Sequence, residues 1–225
     1  MEKIIEKVKG LREELKKGNA FGERVFLVAA TKMQTAEAIN AAIAAGVDAV
    51  AENRVQEFRD KTERLLACPQ HFIGRLQTNK VKYLVGKIDL FHSCDRYELA
   101  AEISRVSVGR GVISDVLVQI NAGGEATKGG FPLSEAYEAY RRIKQMQGIR
   151  VKGFMAMLPN SEDEGLLTSL ADEMRKIYEE ARSEDDGIEY LSMGMSGDYR
   201  LCIAHGSNMI RVGSTIFGER EYGKA

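Results

Sequence analysis

The sequence of 225 residues is poor in cysteine and proline, with three of each. Cys68, Cys94 and Cys202 are an odd number, far apart, and none belongs to a Cys-x-x-Cys pair. We therefore expect neither a disulfide framework nor a zinc site, and a reducing compartment fits best. The 32 Lys and Arg residues nearly balance the 33 Asp and Glu residues. This balance argues against a broad basic surface and against non-specific nucleic-acid binding.

Long apolar runs are also lacking. No run approaches the ~18 residues that a membrane span requires, and charges at the start of the chain exclude a signal-peptide pattern. No linker rich in Pro, Gly or Ser interrupts the sequence. We therefore expect a cytoplasmic protein that does not bind membranes and folds as one domain over residues 1–225.

What the chain does contain is an alternation of short apolar runs with longer segments of helical spacing. An amphipathic segment, Ile4–Lys17, precedes the first run and predicts an extra N-terminal helix. The eight runs, predicted as strands, are Val25–Ala30, Val47–Val50, His71–Ile73, Leu90–Ser93, Val116–Ile120, Val151–Met157, Tyr190–Ser192 and Met209–Val212. The helices predicted after them are Thr35–Ala45, Arg54–Leu66, Asn79–Val85, Arg96–Val108, Ser134–Gln145, Asp163–Glu180 and, between the last two runs, Tyr199–His205.

This alternation predicts an α/β fold, a single (β/α)8 TIM barrel. Parallel neighbouring strands need a crossover between them, and eight such units suit the length of the chain. The rival is a doubly wound open sheet, which usually carries a glycine-rich turn after its first strand. Here the first strand is followed by Thr31-Lys32-Met33-Gln34 instead, which favours the barrel.

Functional residues of such barrels lie at the carboxyl ends of the strands. Lys32 follows an almost wholly apolar strand. An amine with little surrounding water is more easily neutral, and the neutral form attacks an aldehyde to give a Schiff base. Spacing alone favours a plainer interpretation, a lysine whose side chain extends past the strand end into water.

The loops after the seventh and eighth strands are rich in small residues. Ser196 and Gly197 follow one strand, and Gly213, Ser214 and Thr215 follow the other. Backbone N–H groups of such loops can converge on an anion, and barrels often bind phosphate there. The short helix expected from about position 199 would add its positive end. The alternative is that these glycines only form turns.

Other motifs carry less information. The glycine-rich segment 123–130 lacks the Gly-Lys-Ser/Thr of a P-loop, so we interpret it as a loop. His71, His92 and His205 have no metal-ligand spacing, so no metal is expected. No nucleophile elbow or zinc-protease motif is present in the sequence, and we predict no catalytic residue.

Five blocks of the sequence carry its most specific motifs. They are Val28–Lys32, Glu52–Glu57, His71–Lys80, Leu191–Asp198 and Ile210–Arg220. Together these blocks resemble the pyridoxal phosphate homeostasis protein family (YggS/PROSC type). The chain departs from that family at Val50-Ala51, where Phe-Gly is usual, and at Gln70, where Trp is usual; it has no Trp at all. The resemblance implies a barrel like the N-terminal domain of alanine racemase, which holds pyridoxal 5'-phosphate (PLP).

The resemblance also implies individual roles. Lys32 matches the Schiff-base lysine, Arg211 the arginine that faces the pyridine nitrogen, and Asn53 a residue lining the cofactor. An arginine can donate a hydrogen bond to that nitrogen but cannot protonate it. The ring is then a weaker electron sink, which favours a carrier over broad catalysis. The residues that match the phosphate-binding loops are Ser196, Gly197, Gly213 and Ser214.

The leading hypothesis is therefore a monomeric PLP carrier or buffer without robust catalytic activity. Racemases use a second domain to supply a tyrosine to the other face of the cofactor, and none is expected after residue 225. PLP-dependent apo-enzymes or amino acids are the further partners that this role implies. Two alternatives remain. One is a PLP-dependent amino-acid racemase or lyase of narrow scope, and the other is a phosphate-binding barrel for another ligand, with Lys32 as an ionic contact.

Overall fold

The computed structural model describes residues 1–125 and 127–218, and within them the strands form one parallel sheet. Ala126 of the glycine-rich segment, Glu219 and Arg220 of the last resemblance block, and the end of the predicted domain lie outside the described residues. The strands are β1 (Phe26–Ala30), β2 (Ala49–Glu52), β3 (Gln70–Phe72), β4 (Leu90–Cys94), β5 (Ser114–Asn121), β6 (Phe131–Pro132), β7 (Ile149–Ala156), β8 (Tyr190–Ser192) and β9 (Met209–Val212).

Eight of these strands close into a barrel. Around the ring they follow the order β4-β3-β2-β1-β9-β8-β7-β5, and β4 pairs with β5 to complete it. The predicted (β/α)8 barrel is thus confirmed. The short strand β6 pairs with the carboxyl end of β5 outside the ring. It was not predicted from the sequence, because two residues are too few to show a strand period.

Helices fill the crossovers. In the described part of the chain they are α1 (Glu2–Leu15), α2 (Ala36–Ala44), α3 (Val55–Lys61), α4 (Tyr97–Arg110), α5 (Ala136–Lys144), α6 (Glu164–Glu184), α7 (Tyr199–Ala204) and α8 (Ser214–Phe217). The Thr35 hydroxyl caps α2, and the Asp163 carboxylate caps α6. None of the described helices combines the length and apolarity needed to cross a membrane.

One predicted helix has a different form. The segment after β3 is a 3₁₀-helix, Thr78–Tyr83, and not the α-helix expected over Asn79–Val85. Val81 in this helix and Leu84, directly after its end, are both fully buried and three positions apart. A helix with three residues per turn aligns such a pair on one face better than an α-helix does.

The apolar side chains form an outer layer between the barrel and the helices and a smaller cluster inside the barrel. Alternation along the strands separates the two layers, because successive side chains of a strand point to opposite faces. The buried members of the inner cluster are Val28, Ala49, Ala51, Leu90, Leu117, Met155 and Met209.

A buried ion network joins the segment before β1 to α6. The guanidinium of Arg175 donates to Glu23 at 2.7 Å and to Glu179 at 2.8 Å. It also donates to the carbonyl of Gly206 at 3.0 Å and stacks on the ring of Phe21. Only 8% of the Arg175 side chain is exposed, so removing an anionic partner would leave a buried cation poorly compensated.

We expect Glu23→Gln to lower the free energy of unfolding by about 2 kcal/mol, measured by urea denaturation at pH 7. Burial alone would raise the pKa of Glu23, but hydrogen bonds from Arg175 and Asn19 outweigh it, so the pKa is lowered from 4.5. A carboxylate with a lowered pKa stabilises the fold above its unfolded pKa and loses that effect as the pH falls through the folded one. The difference between variant and wild type should therefore shrink below pH 4.5.

The control is Glu13→Gln, which removes a carboxylate from an ion pair whose two side chains are 70% and 72% exposed. Its effect should stay within about 0.5 kcal/mol. Equal losses for the two variants would contradict the role assigned to the buried network.

Candidate functional site

All seven residues proposed as cofactor-binding from the sequence lie at the carboxyl ends of four adjacent strands. β1 pairs with β2 on one side and with β9 on the other, and β9 pairs with β8. Because the strands are parallel, their carboxyl ends share one rim of the barrel. In the order β2, β1, β9, β8, this rim carries Asn53, then Lys32, then Arg211, Gly213 and Ser214, then Ser196 and Gly197.

The loops after β8 and β9 are joined by hydrogen bonds to one oxygen atom. Ser196 Oγ accepts from the backbone N–H of Gly213 and from that of Thr215, each at 3.2 Å. Two backbone N–H groups therefore converge on one point, as in sites that hold an anionic oxygen. A Cβ built on Gly197 would meet no atom within 4 Å, so the backbone there has open space in front of it.

The helix expected near position 199 is present as α7, but its first turn already has an acidic neighbour. The carboxylate of Asp198 accepts from the backbone N–H of Met195 at 2.6 Å. This negative charge offsets the positive end of the short helix. The convergent N–H groups of Gly213 and Thr215 are consequently the stronger anion-binding feature on this rim.

Asn53 and Gly74 lie against each other at the ends of β2 and β3. The Oδ1 atom of Asn53 is buried and has no hydrogen-bond partner among the described residues. A buried amide oxygen without a partner is unfavourable, and a ligand that donates a hydrogen bond would satisfy it. A Cβ on Gly74 would lie 2.0 Å from the Asn53 carbonyl oxygen, so only glycine permits this approach.

The residues on both sides of Lys32 are held by a cluster of charged side chains, and Lys32 itself is half-buried. Lys61 donates to Glu52 at 2.9 Å, to Glu57 at 2.7 Å and to the Thr31 carbonyl at 3.3 Å. We call these three side chains, Lys61, Glu52 and Glu57, the Lys61 cluster.

The Lys61 cluster fixes the backbone in two places. The Thr31 hydroxyl donates to Glu52 at 2.7 Å, and the Met33 N–H donates to Glu57 at 2.6 Å. Met33 has a φ of 61°, a left-handed conformation that is unfavourable for a methionine. The bond to Glu57 helps to hold it there, so the backbone is restrained on either side of Lys32.

The two carboxylates of the Lys61 cluster differ electrostatically. Burial raises the pKa of Glu52 despite hydrogen bonds from Lys61 and Thr31. Burial would also raise the pKa of Glu57, but hydrogen bonds from Lys61 and the Met33 N–H outweigh it and lower the pKa. Lys61 keeps its proton, because the two carboxylates outweigh its own burial and raise its pKa.

Arg211 lies inside the barrel with only 4% of its surface exposed. Its guanidinium donates to the Ser192 carbonyl at 2.8 Å, the Ser192 hydroxyl at 2.6 Å and the Ala156 carbonyl at 2.9 Å. Burial lowers the pKa of Arg211 to about 10, which still leaves it protonated at neutral pH. The site therefore contains a buried cation whose hydrogen-bond acceptors are all uncharged.

Sequence reasoning missed the Lys61 cluster and the side chains that contact Arg211. Glu57 and Lys61 are four residues apart on α3, a spacing that brings opposite charges together on a helix, so this pair could have been found. The contact with Ser192 could not, because it depends on the register of β8 against β9. In the described residues, no group of three or more His, Cys, Asp or Glu side chains is arranged to hold a metal ion.

Comparisons with known proteins agree on one family. The sequence profile described as "Alanine racemase, N-terminal domain" matches residues 8–221. The pyridoxal phosphate homeostasis protein of Aquifex aeolicus is 36% identical over 225 residues, which covers 99% of this chain and 97% of the relative.

Two solved structures place these matches in three dimensions. PipY of Synechococcus elongatus, solved with PLP bound, superposes with a TM-score of 0.82 at 29% identity, over 96% of this chain and 100% of PipY. The alanine racemase of Clostridium difficile superposes with a TM-score of 0.75 at 15% identity, over 97% of this chain but 55% of the racemase. The second likeness shows the shared barrel fold alone.

We expect Gly74→Ala to destabilise the protein by about 2 kcal/mol or more, because the added methyl group forces the Asn53 backbone away. The control is Gly109→Ala, where a Cβ meets no atom within 4 Å. Gly109 lies in α4, so alanine should stabilise that helix by about 0.5 kcal/mol. Thermal unfolding of both variants tests this. A Gly74→Ala protein as stable as wild type would contradict the close approach.

Proposed function

The chain belongs to the alanine racemase N-terminal domain family and to the pyridoxal phosphate homeostasis proteins, and from this premise we propose that it binds PLP as a carrier or buffer of that cofactor. The observation that carries the proposal is the single rim where Lys32 stands between Asn53 and two loops with convergent N–H groups. An aldehyde-reactive amine and an anion-binding point match the aldehyde and the phosphate of PLP.

Lys32 would hold the aldehyde end. Its Nζ attacks the carbonyl carbon, a C=N bond forms and one water molecule leaves, and addition of water reverses the step. The reversibility of this bond suits a protein that stores or delivers a reactive aldehyde. The Lys61 cluster supports this role, because it restrains the backbone at Thr31 and Met33.

The phosphate would bind where the last two strand loops meet. The N–H groups of Gly213 and Thr215 already point at one oxygen, that of Ser196. A phosphate oxygen is a stronger acceptor than a hydroxyl, so it can replace Ser196 Oγ there while the hydroxyl turns to donate. Gly197 and Ser214 complete the proposed phosphate-binding set.

Arg211 would face the ring nitrogen, and Asn53 would line the cofactor with its unpartnered oxygen. When bound, PLP supplies an electron-withdrawing ring, whose strength depends on protonation of its nitrogen. Arg211 donates a hydrogen bond but keeps its proton at neutral pH. This limits the ring as an electron sink and supports a role without robust catalysis.

The match to a homeostasis protein supports the same role, since this chain spans 97% of the Aquifex relative of that name. We further propose that residues 1–225 act as a single-domain monomer in the cytoplasm and that PLP-dependent apo-enzymes receive the cofactor. Analytical ultracentrifugation and PLP transfer to an apo-enzyme test these two statements.

We expect borohydride treatment of the PLP-loaded protein to attach the cofactor irreversibly to Lys32. Peptide mass spectrometry should locate the reduced adduct at that position, and Lys32→Ala should lose it together with the yellow colour. Lys80→Ala is the matched control, since Lys80 is an exposed lysine at the same end of the barrel, and it should keep both signals. A wild-type protein that takes up no PLP would end this proposal.

We expect the loaded protein to leave the α-protons of amino acids in place. Incubation with L-alanine in deuterated water, followed by proton NMR, should show exchange no faster than with free PLP. The reason is that the unprotonated ring stabilises the α-carbanion poorly. Exchange at enzyme-like rates that disappears in Lys32→Ala would overturn the non-catalytic part of the proposal.

A further inference from the structure

Arg211 is one end of a chain of hydrogen bonds that crosses the inside of the barrel. Its Nη1 donates to Ser192 Oγ at 2.6 Å, and Ser192 Oγ lies 3.3 Å from His92 Nδ1. His92 Nε2 in turn lies 3.0 Å from His71 Nδ1. The chain runs from β9 through β8 to β4 and β3, and each of the four residues is at least nine-tenths buried.

The chemistry of these groups sets the direction of the chain. An arginine only donates, so Ser192 Oγ accepts from Arg211 and has its own proton to place. Among the described residues, the other hydrogen-bond partner of this hydroxyl is His92. If His92 Nδ1 carried a proton instead, the buried hydroxyl would lack an acceptor, which costs about 1–3 kcal/mol. Ser192 therefore donates to His92.

The direction of these hydrogen bonds also determines which nitrogen of each imidazole carries the proton. With Nδ1 as its acceptor, neutral His92 carries its proton on Nε2 and donates to His71 Nδ1, so His71 carries its proton on Nε2 as well. Both rings are neutral: burial lowers the pKa of His71 to about 4. Burial, helped by the nearby His71 and Arg211, also lowers the pKa of His92.

The His71 end of this series of hydrogen bonds borders a cavity at the opposite, amino-terminal end of the barrel. His71 lines this cavity, which has a volume of about 320 Å³. Its acidic residues are paired or hydrogen-bonded: Asp48 with Arg12, Asp115 with Arg150, Glu189 with Lys152, and Asp89 with the Gln70 N–H. The hydrogen bonds thus connect the two ends of the barrel.

We propose that Ser192, His92 and His71 are positioning residues for Arg211, and we call their hydrogen bonds the relay. All bonds of the relay are donated in the direction from Arg211 to His71. They hold the guanidinium of Arg211 in place, and they carry changes at the cofactor rim to His71. The proposal rests on the proposed function in one respect, that PLP is the ligand that meets Arg211. Chains of hydrogen bonds polarise one another at low dielectric. The relay therefore makes Ser192 Oγ a better acceptor for Arg211 than an isolated hydroxyl.

The direction can be tested without PLP. Two-dimensional ¹H–¹⁵N NMR of the ¹⁵N-histidine-labelled protein at pH 7 should show His92 and His71 as neutral rings protonated on Nε2. Assignment comes from His92→Gln and His71→Gln. A ring protonated on Nδ1, or a doubly protonated ring, at either position would overturn the relay.

The effect on Arg211 is tested by two substitutions of the same residue. His92→Gln can keep an acceptor towards Ser192 and a donor towards His71, whereas His92→Leu can keep neither. We expect the Kd for PLP, measured by fluorescence titration, to rise about 3- to 10-fold in His92→Leu. A rise of this size corresponds to the loss of one hydrogen bond. In His92→Gln it should stay within about 2-fold of wild type. Equal values for the two variants would contradict the proposal.

Transmission along the chain gives a readout that packing alone would not move. Adding PLP to the wild type should shift the ¹⁵N resonances of His71. The variant Ser192→Ala should abolish that shift. Because this substitution is small, it tests the connection even if His92→Leu does not fold. A shift that persists in Ser192→Ala would overturn the relay. A wild type that binds no PLP would instead refute the proposed function, and the tautomers would then decide the relay alone.

Discussion

The site depends on one geometric constraint, the closure of eight parallel strands into a ring. Closure places β1 between β2 and β9, although β9 is the last strand in the described part of the chain. Lys32 is thereby brought beside a loop some 180 residues further along the chain. Parallel pairing then puts every strand's carboxyl end on the same rim. A single open sheet with another strand order would separate the amine from the two loops.

The same ring gives the barrel interior a polar layer, whose burial has a desolvation cost. Leu90, Met209 and their neighbours fill part of the interior with apolar side chains. Arg211, His92 and Ser192 occupy the next inward-facing positions of their strands, two residues further along. A buried guanidinium without an anionic partner is unfavourable unless its hydrogen bonds are satisfied. Such a departure from an apolar core is typical of positions kept for function and not for stability.

Much of the fold could be predicted from the sequence. The eight barrel strands are short apolar runs between turn signals, so their existence, order and class followed from pattern. The 3₁₀ form of the helix Thr78–Tyr83 could not be predicted, because it depends on burying Val81 and Leu84 against the barrel. The two-residue strand β6 was too short to leave a pattern.

The site was predictable only in part. Lys32, Ser196 and Gly213 stand at strand ends, and the parallel barrel brought them to one rim as expected; their roles towards a cofactor stay predictions. The relay could not be predicted, since His71, His92, Ser192 and Arg211 share no spacing and meet only through strand register. Gly74 lies within the block His71–Lys80 that carries the family resemblance, but its close approach to the backbone of Asn53 is visible only in three dimensions.

A crystal structure of this protein grown with PLP would test the central claim most directly. We expect continuous electron density from Lys32 Nζ to the cofactor, with the phosphate between the loop of Ser196 and that of Gly213. Density for the phosphate at any other place, or a Lys32 side chain turned out into the solvent with PLP present, would contradict it.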